Sequence, residues 1–144
     1  MIQYEKTAVD RFFERFQHDS NSDDIPSMVS YFAETFLAAG PQGAQCVRST
    51  DFATALPKRK QLFARLDCQP AKLVSLQQTP LDNRYVMAKT TWRFDFARGN
   101  AGMDEVFVDS TYLLDTGASD FKIVLYLSHQ DIMQILQERG ILES

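Results

Sequence analysis

Residues 84–96 read RYVMAKTTWRFDF, and their period decides the fold class. Val86, Ala88, Thr90, Trp92, Phe94 and Phe96 are apolar or small and share one parity, while Lys89, Arg93 and Asp95 fall on the other. Successive side chains of a strand point to opposite faces, so the pattern predicts a long strand whose even positions look inward. Period-two segments surround it, with further strands expected over 71–78, 105–115 and 121–128. Asp82-Asn83, Arg98-Gly99-Asn100 and Thr116-Gly117 supply turn chemistry between them. The second half of the chain therefore reads as an antiparallel meander.

The first half has a different period. Val9, Phe12, Phe13 and Phe16 recur at helical spacing, with Asp10, Arg11, Glu14 and Arg15 on the opposite side, which predicts an amphipathic helix from Glu5 to His18. Asp23 or Asp24 can cap a second helix with Pro26 near its start and Ile25, Met28, Val29, Phe32 and Phe36 as its buried stripe. Gly40, Pro41 and Gly43 stop that helix, and 44–48 is a short strand before Ser49, Thr50 or Asp51 caps a third helix. Phe52, Leu56, Phe63 and Leu66 form its stripe, and Pro57 predicts a kink or a split into two short helices. Lys58 to Lys60 read as a solvated helix face. A last helix starts near Asp131, turns Ile132, Ile135 and Leu136 inward and ends at Gly140. Helices followed by a meander imply an α+β domain with the helices packed on one sheet face.

Composition agrees with one domain spanning residues 1–144. The chain has 15 Lys and Arg against 19 Asp and Glu, 44% hydrophobic residues and 12% aromatic ones. A net charge of −4 gives no general attraction to phosphate backbones or anionic lipid, so neither nucleic acid nor a membrane is expected as a partner. Cys46 and Cys68 have no CxxC partner and read as reduced thiols of a cytoplasmic protein. No apolar run approaches the length of a membrane span, and the N-terminus lacks a signal-peptide pattern. Gly-x-Gly-x-x-Gly, Walker and Gly-x-Ser-x-Gly motifs are absent from the sequence, and His18 and His129 lie outside any ligand spacing. No metal or cofactor is expected.

The order helix, helix, short strand, helix, curved antiparallel sheet resembles the nuclear transport factor 2-like superfamily, which includes ketosteroid isomerases, scytalone dehydratase and SnoaL-like polyketide cyclases. The residues that carry the resemblance are Asp24-Ile25 with Met28-Val29 and Phe32, the Gly40-Pro41-Gln42-Gly43 break, and the hairpin from Asp109 through Gly117 into Phe121-Lys122-Ile123-Val124. The resemblance implies a cystatin-like cone, N-terminal helices on a strongly curved sheet with a short C-terminal helix, and a closed-end pocket. It also implies a homodimer formed through the sheet's other face. Ketosteroid isomerase places a tyrosine on the first helix, a carboxylate base before a Pro-x-Gly turn and a protonated aspartic acid on a late strand. In this chain the first two positions fall on Phe12 and Gly40, which supply neither hydroxyl nor carboxylate, and only Asp109 matches. Ketosteroid isomerisation is therefore not expected.

Asp109 sits among apolar residues of both parities in Val106 to Tyr112. Facing inward it would lose hydration, its pKa would rise and it could act as an acid; facing outward it could pair with Arg93 or Lys89. Trp92 either lines a pocket and donates to a ligand oxygen or bonds a neighbouring carbonyl in the core. His129 either serves as a general base at a pocket mouth or caps a neighbour, and the tyrosines at 31, 85, 112 and 126 read as interface and rim residues. The leading expectation is a cofactor-free dimer binding a small apolar molecule against Phe12, Phe32, Phe63, Trp92 and Phe94. Asp109 and His129 would be the acid/base points for isomerisation, dehydration or cyclisation. The alternative is a non-catalytic accessory or protein-interaction domain.

Overall fold

The computed structural model describes residues 5–117 and 119–142. Its elements are α1 (Lys6–Ser20), α2 (Ile25–Ser30), β1 (Phe32–Gly40), β2 (Gly43–Arg48), α3 (Ser49–Arg65), β3 (Lys72–Pro80), β4 (Tyr85–Ala97), β5 (Met103–Asp115), β6 (Lys122–Ser128) and α4 (Ile132–Glu138). One 3-10 turn, Gly99–Ala101, joins β4 to β5. The strands form a single six-stranded sheet in the order β2-β1-β6-β5-β4-β3. The meander from β3 to β6 is antiparallel throughout, as its period and turns predict.

The first half holds the main departure. The expected second helix ends at Ser30, and Phe32 and Phe36 belong to β1, which runs parallel to β6 and makes the sheet mixed. The spacing of these two phenylalanines is ambiguous, because four residues span about one helical turn and also an even number of strand positions. Gly40-Pro41-Gln42-Gly43 is then a hairpin between β1 and β2, with Gly40 paired to Gly43. Gly43 has φ of +124°, a conformation that costs a glycine little and an L side chain much. The α3 segment is one helix despite Pro57, rather than two short ones. The Ala53 carbonyl that loses its donor belongs to a half-buried residue and can bond water instead.

Burial follows the strand period. Val86, Ala88, Thr90, Trp92 and Phe96 are all buried on β4, and Val106, Val108, Ser110, Tyr112 and Leu114 on β5. Against this inner face α1 sets Val9, Phe12, Phe13 and Phe16, which form one core with Phe32, Phe36, Leu56 and Ile123. A second cluster at the far end joins Phe96, Val106 and Val108 to Ile132 and Leu136 of α4. Asp24 caps α2 by accepting from Ser27 N, and Asp131 caps α4 by accepting from Met133 N and Gln134 N. Register shifts interrupt the β1/β6, β3/β4 and β5/β6 ladders, and such bulges bend and twist a sheet. Among the described residues no helix is long and apolar enough to cross a membrane.

Candidate functional site

Helices α1 to α3 do not fill the hollow of the sheet. Between them and the inner face lies a cavity of about 730 Å³, within the range typical of small-molecule sites. Its wall is aromatic: Phe16 from α1, Phe32 and Phe36 from β1, Phe52 and Phe63 from α3, and Trp92 and Phe94 from β4. Tyr112 and Tyr126 continue it across β5 and β6, their rings stacked with centroids 5.2 Å apart. The even parity of β4 and the ladder pairing of Ala88 with Tyr112 and of Tyr112 with Tyr126 put these side chains on one face.

Of the residues expected in the wall, Phe32, Phe63, Trp92 and Phe94 line the cavity. Phe12 does not; it is buried in the packed core, with Phe13 at 5.2 Å, Tyr31 at 5.4 Å and Phe121 at 6.3 Å between ring centroids. Five contributors are not among the residues the sequence points to: Phe16, Phe36 and Phe52 read there only as helix stripes, and Tyr112 and Tyr126 as interface or rim residues. The signal that could have found the tyrosines is their inward parity, which needs the register of β5. Two basic residues expected on a solvated face, Arg59 and Lys60, also reach the cavity. Lys60 donates to the Ser20 carbonyl at 2.7 Å, and burial lowers its pKa despite the opposing influence of Asp23. The Arg59 guanidinium lies 4.9 Å over the Phe63 ring.

Asp109 does not face the apolar cavity. The β4/β5 ladder pairs it with Thr91, on the odd and outward side. There Thr91 Oγ1 donates to Asp109 Oδ1 at 2.7 Å and Gln130 Nε2 to Oδ2 at 3.1 Å. These bonds lower its pKa, Thr91 most and Gln130 next, against a smaller opposing effect of burial. The raised pKa expected of an inward carboxyl is thus reversed.

His129 is exposed on the same outer side. Its Nε2 lies 2.7 Å from Thr111 Oγ1. Asp109 and His129 therefore do come together, in a small depression of about 210 Å³ with Ser75, Gln77, Lys89 and Thr91. That depression and the aromatic cavity lie on opposite faces of β5. The two parts expected to form one site are separate.

The polar floor of the large cavity is built from other groups. Ser110 stands between Thr90 and Ser128 in the ladder, and Thr90 Oγ1 donates to the Ser110 carbonyl at 2.9 Å. Burial holds the Tyr112 phenol well above its ordinary pKa, with Tyr126 adding to the rise. Trp92 Nε1 is near enough to favour the ionised phenol, yet it is outside hydrogen-bonding geometry and is left buried without a partner. Burial also pushes the Cys68 thiol at the cavity wall up to about 11, which leaves it protonated at neutral pH. No group of three His, Cys, Asp or Glu among the described residues is placed to hold a metal ion.

No family model matches the chain, and no curated protein matches it in sequence. Solved structures do. A cystatin-like protein of unknown function from Nostoc punctiforme superposes with a TM-score of 0.70 at 10% identity, covering 91% of this chain and 96% of that one. The beta subunit of the benzoate 1,2-dioxygenase from Burkholderia mallei gives 0.73 at 10% identity, over 94% and 96%. A nuclear transport factor 2-like protein of unknown function from Shewanella oneidensis gives 0.62 at 15% identity, over 85% and 96%. At such identities the likeness concerns architecture and not chemistry. This chain has the cystatin-like fold of the nuclear transport factor 2-like proteins.

Proposed function

We propose that this protein binds a small, largely apolar molecule in the cavity between its helices and sheet. One observation carries the reading: the cavity is wide, and its wall is made of aromatic side chains drawn from α1, α3 and four strands. A core built only for stability closes to near-crystalline density, and an unfilled aromatic hollow forfeits those contacts.

We further propose that the protein is a homodimer paired through the outer face of its sheet. Phe107, Val74 and Met103 are 49%, 47% and 55% exposed, and the first two project from neighbouring segments of the β3–β5 region. Like the benzoate dioxygenase subunit it resembles, the chain would then work within an assembly.

Isomerisation, dehydration or cyclisation of the bound molecule would have to draw protons from Tyr112, Tyr126, Lys60 or the rim carboxylates, because Asp109 and His129 are on the other face. An acid/base role for that pair would concern a ligand in the outer depression. This separation favours a second reading, in which the domain binds without turnover.

Native mass spectrometry of gently purified protein tests the proposal, reading subunit number and retained mass together. The expected result is a dimer carrying a defined small mass. Ala38→Trp, which places an indole in the cavity, should shed that mass, and Phe107→Glu should yield monomer. Retention of the same mass by Ala38→Trp would place the ligand elsewhere, and a dimeric Phe107→Glu would move the interface.

A further inference from the structure

Trp92 is the single tryptophan of the chain and is 5% exposed. Its Nε1 is one of three buried side-chain nitrogen or oxygen atoms among the described residues that have no hydrogen-bond partner. The other two, Arg93 Nε and Asp95 Oδ1, belong to the two members of one ion pair, with Nε 3.2 Å from Oδ2, on the outer side of β4. Trp92 Nε1 has only the Tyr112 phenol near it, outside hydrogen-bonding geometry. An unpaired buried N–H carries a full desolvation cost, so native proteins retain few of them, and those they retain call for an explanation.

Trp92 lines the cavity, and so does Tyr112, itself 4% exposed. The ring of Phe16 packs against both, with centroids 5.8 Å from Trp92 and 5.7 Å from Tyr112. The indole N–H of Trp92 on β4 is near enough to the Tyr112 phenol on β5 to favour its ionised form. We propose that the Trp92 indole N–H and the Tyr112 hydroxyl are the polar subsite of this cavity and hold an uncharged acceptor oxygen, as of a ketone, on an otherwise apolar ligand. The inference rests on the cavity being a small-molecule site and names the chemistry that site selects.

The acceptor is uncharged for a reason visible around it. Burial and the neighbouring Tyr126 disfavour negative charge on the Tyr112 phenol, outweighing the opposite influence of Trp92, Arg59 and Ser110. The cations of the lining are engaged elsewhere, Lys60 with the Ser20 carbonyl and Arg59 over the Phe63 ring. A carboxylate brought to Trp92 would meet two neutral donors, with the Arg59 guanidinium held over the Phe63 ring, and a buried anion without a direct cationic partner is costly. A ketone oxygen needs only the two donors.

The test uses two probes of nearly one shape, 2-acetylnaphthalene and 2-isopropenylnaphthalene, which differ in C=O against C=CH2. Each is titrated into the 15N-labelled full chain, whose spectrum has a single indole N–H signal. Both probes should bind, the ketone about ten-fold tighter, as one added hydrogen bond to a buried donor allows. The ketone should also move the indole proton downfield of its position with the alkene. Trp92→Phe should bind both probes alike.

Equal affinities with equal indole shifts would overturn the subsite while leaving the cavity reading standing. Absence of shifts at any lining residue with either probe would overturn both. Should Trp92→Phe fail to fold, the wild-type pair decides by itself.

Discussion

Truncating two phenylalanines, one in the packed core and one on the cavity wall, separates an open pocket from a filled interior. Phe13 is fully buried, with Phe12 at 5.2 Å, Tyr112 at 5.3 Å and Phe16 at 5.9 Å between ring centroids, and it does not line the cavity. Phe13→Ala opens a void that its neighbours cannot refill, a change that costs about 3–5 kcal/mol. For a chain of this length the melting temperature should fall by about 10–15 °C. Phe63 is half-buried and lines the cavity, with Phe94 at 6.0 Å and Phe96 at 5.9 Å. Its removal widens a space that already exists, so only the partial transfer free energy is lost, about 1–2 kcal/mol. Urea titration followed by far-ultraviolet circular dichroism measures both, with the slope m expected to stay constant. Equal costs for the two variants would refute the reasoning, since they would mean that Phe63 sits in a space as tightly filled as that around Phe13.

Asp131→Ala deprives Met133 N and Gln134 N of their acceptor, at 3.0 and 3.3 Å, and should cost about 1 kcal/mol, seen as faster hydrogen exchange at those two amides. The Tyr31 hydroxyl donates to Asp19, and the pair leaves marks at both ends of the pH range. Burial first and the Asp19 bond second raise Tyr31 to about 12 when folded, above the ordinary value of about 10. Its contribution to stability is therefore whole below about pH 10 and is lost as pH climbs toward 12. Asp19 is lowered, chiefly by Tyr31, so its contribution is present above about pH 4 and fades as pH falls further. Tyr31→Phe should flatten both limbs of a stability-against-pH curve, and unchanged limbs would count against the assigned bond. Asp109→Asn should leave the affinity for 2-acetylnaphthalene unchanged; a large loss would contradict the outward placement of that carboxylate.

The inward face of β4 was legible because Val86 to Phe96 alternates with charged residues, and a half-buried strand has only one way to satisfy that pattern. The α1 stripe, the α2 cap down to the choice between Asp23 and Asp24, and the start of α4 near Asp131 were legible for similar local reasons, each set by spacing within one turn or a few residues. β1 was not. In FAETFLAAG the helix-forming alanines, glutamate and leucine argue one way, and what makes the segment a strand is a parallel partner, β6, about ninety residues downstream, with Phe32 paired to Ile123.

The candidate site divides along the same line. That the chain has an aromatic interior, with Phe32, Phe63, Trp92 and Phe94 among its parts, follows from residue type and period. Which face of β5 looks inward does not, because Val106, Phe107, Val108 and Tyr112 put apolar residues on both parities. The ladder settles it by pairing Thr91 with Asp109 and Trp92 with Val108, since residues opposite each other in a sheet share a face. One residue of register thus sends Asp109 and His129 to the outer depression and brings Tyr112 to Trp92. A sequence determines a strand's period by itself, but its phase depends on which neighbour's hydrogen bonds it accepts, and only the folded sheet decides that.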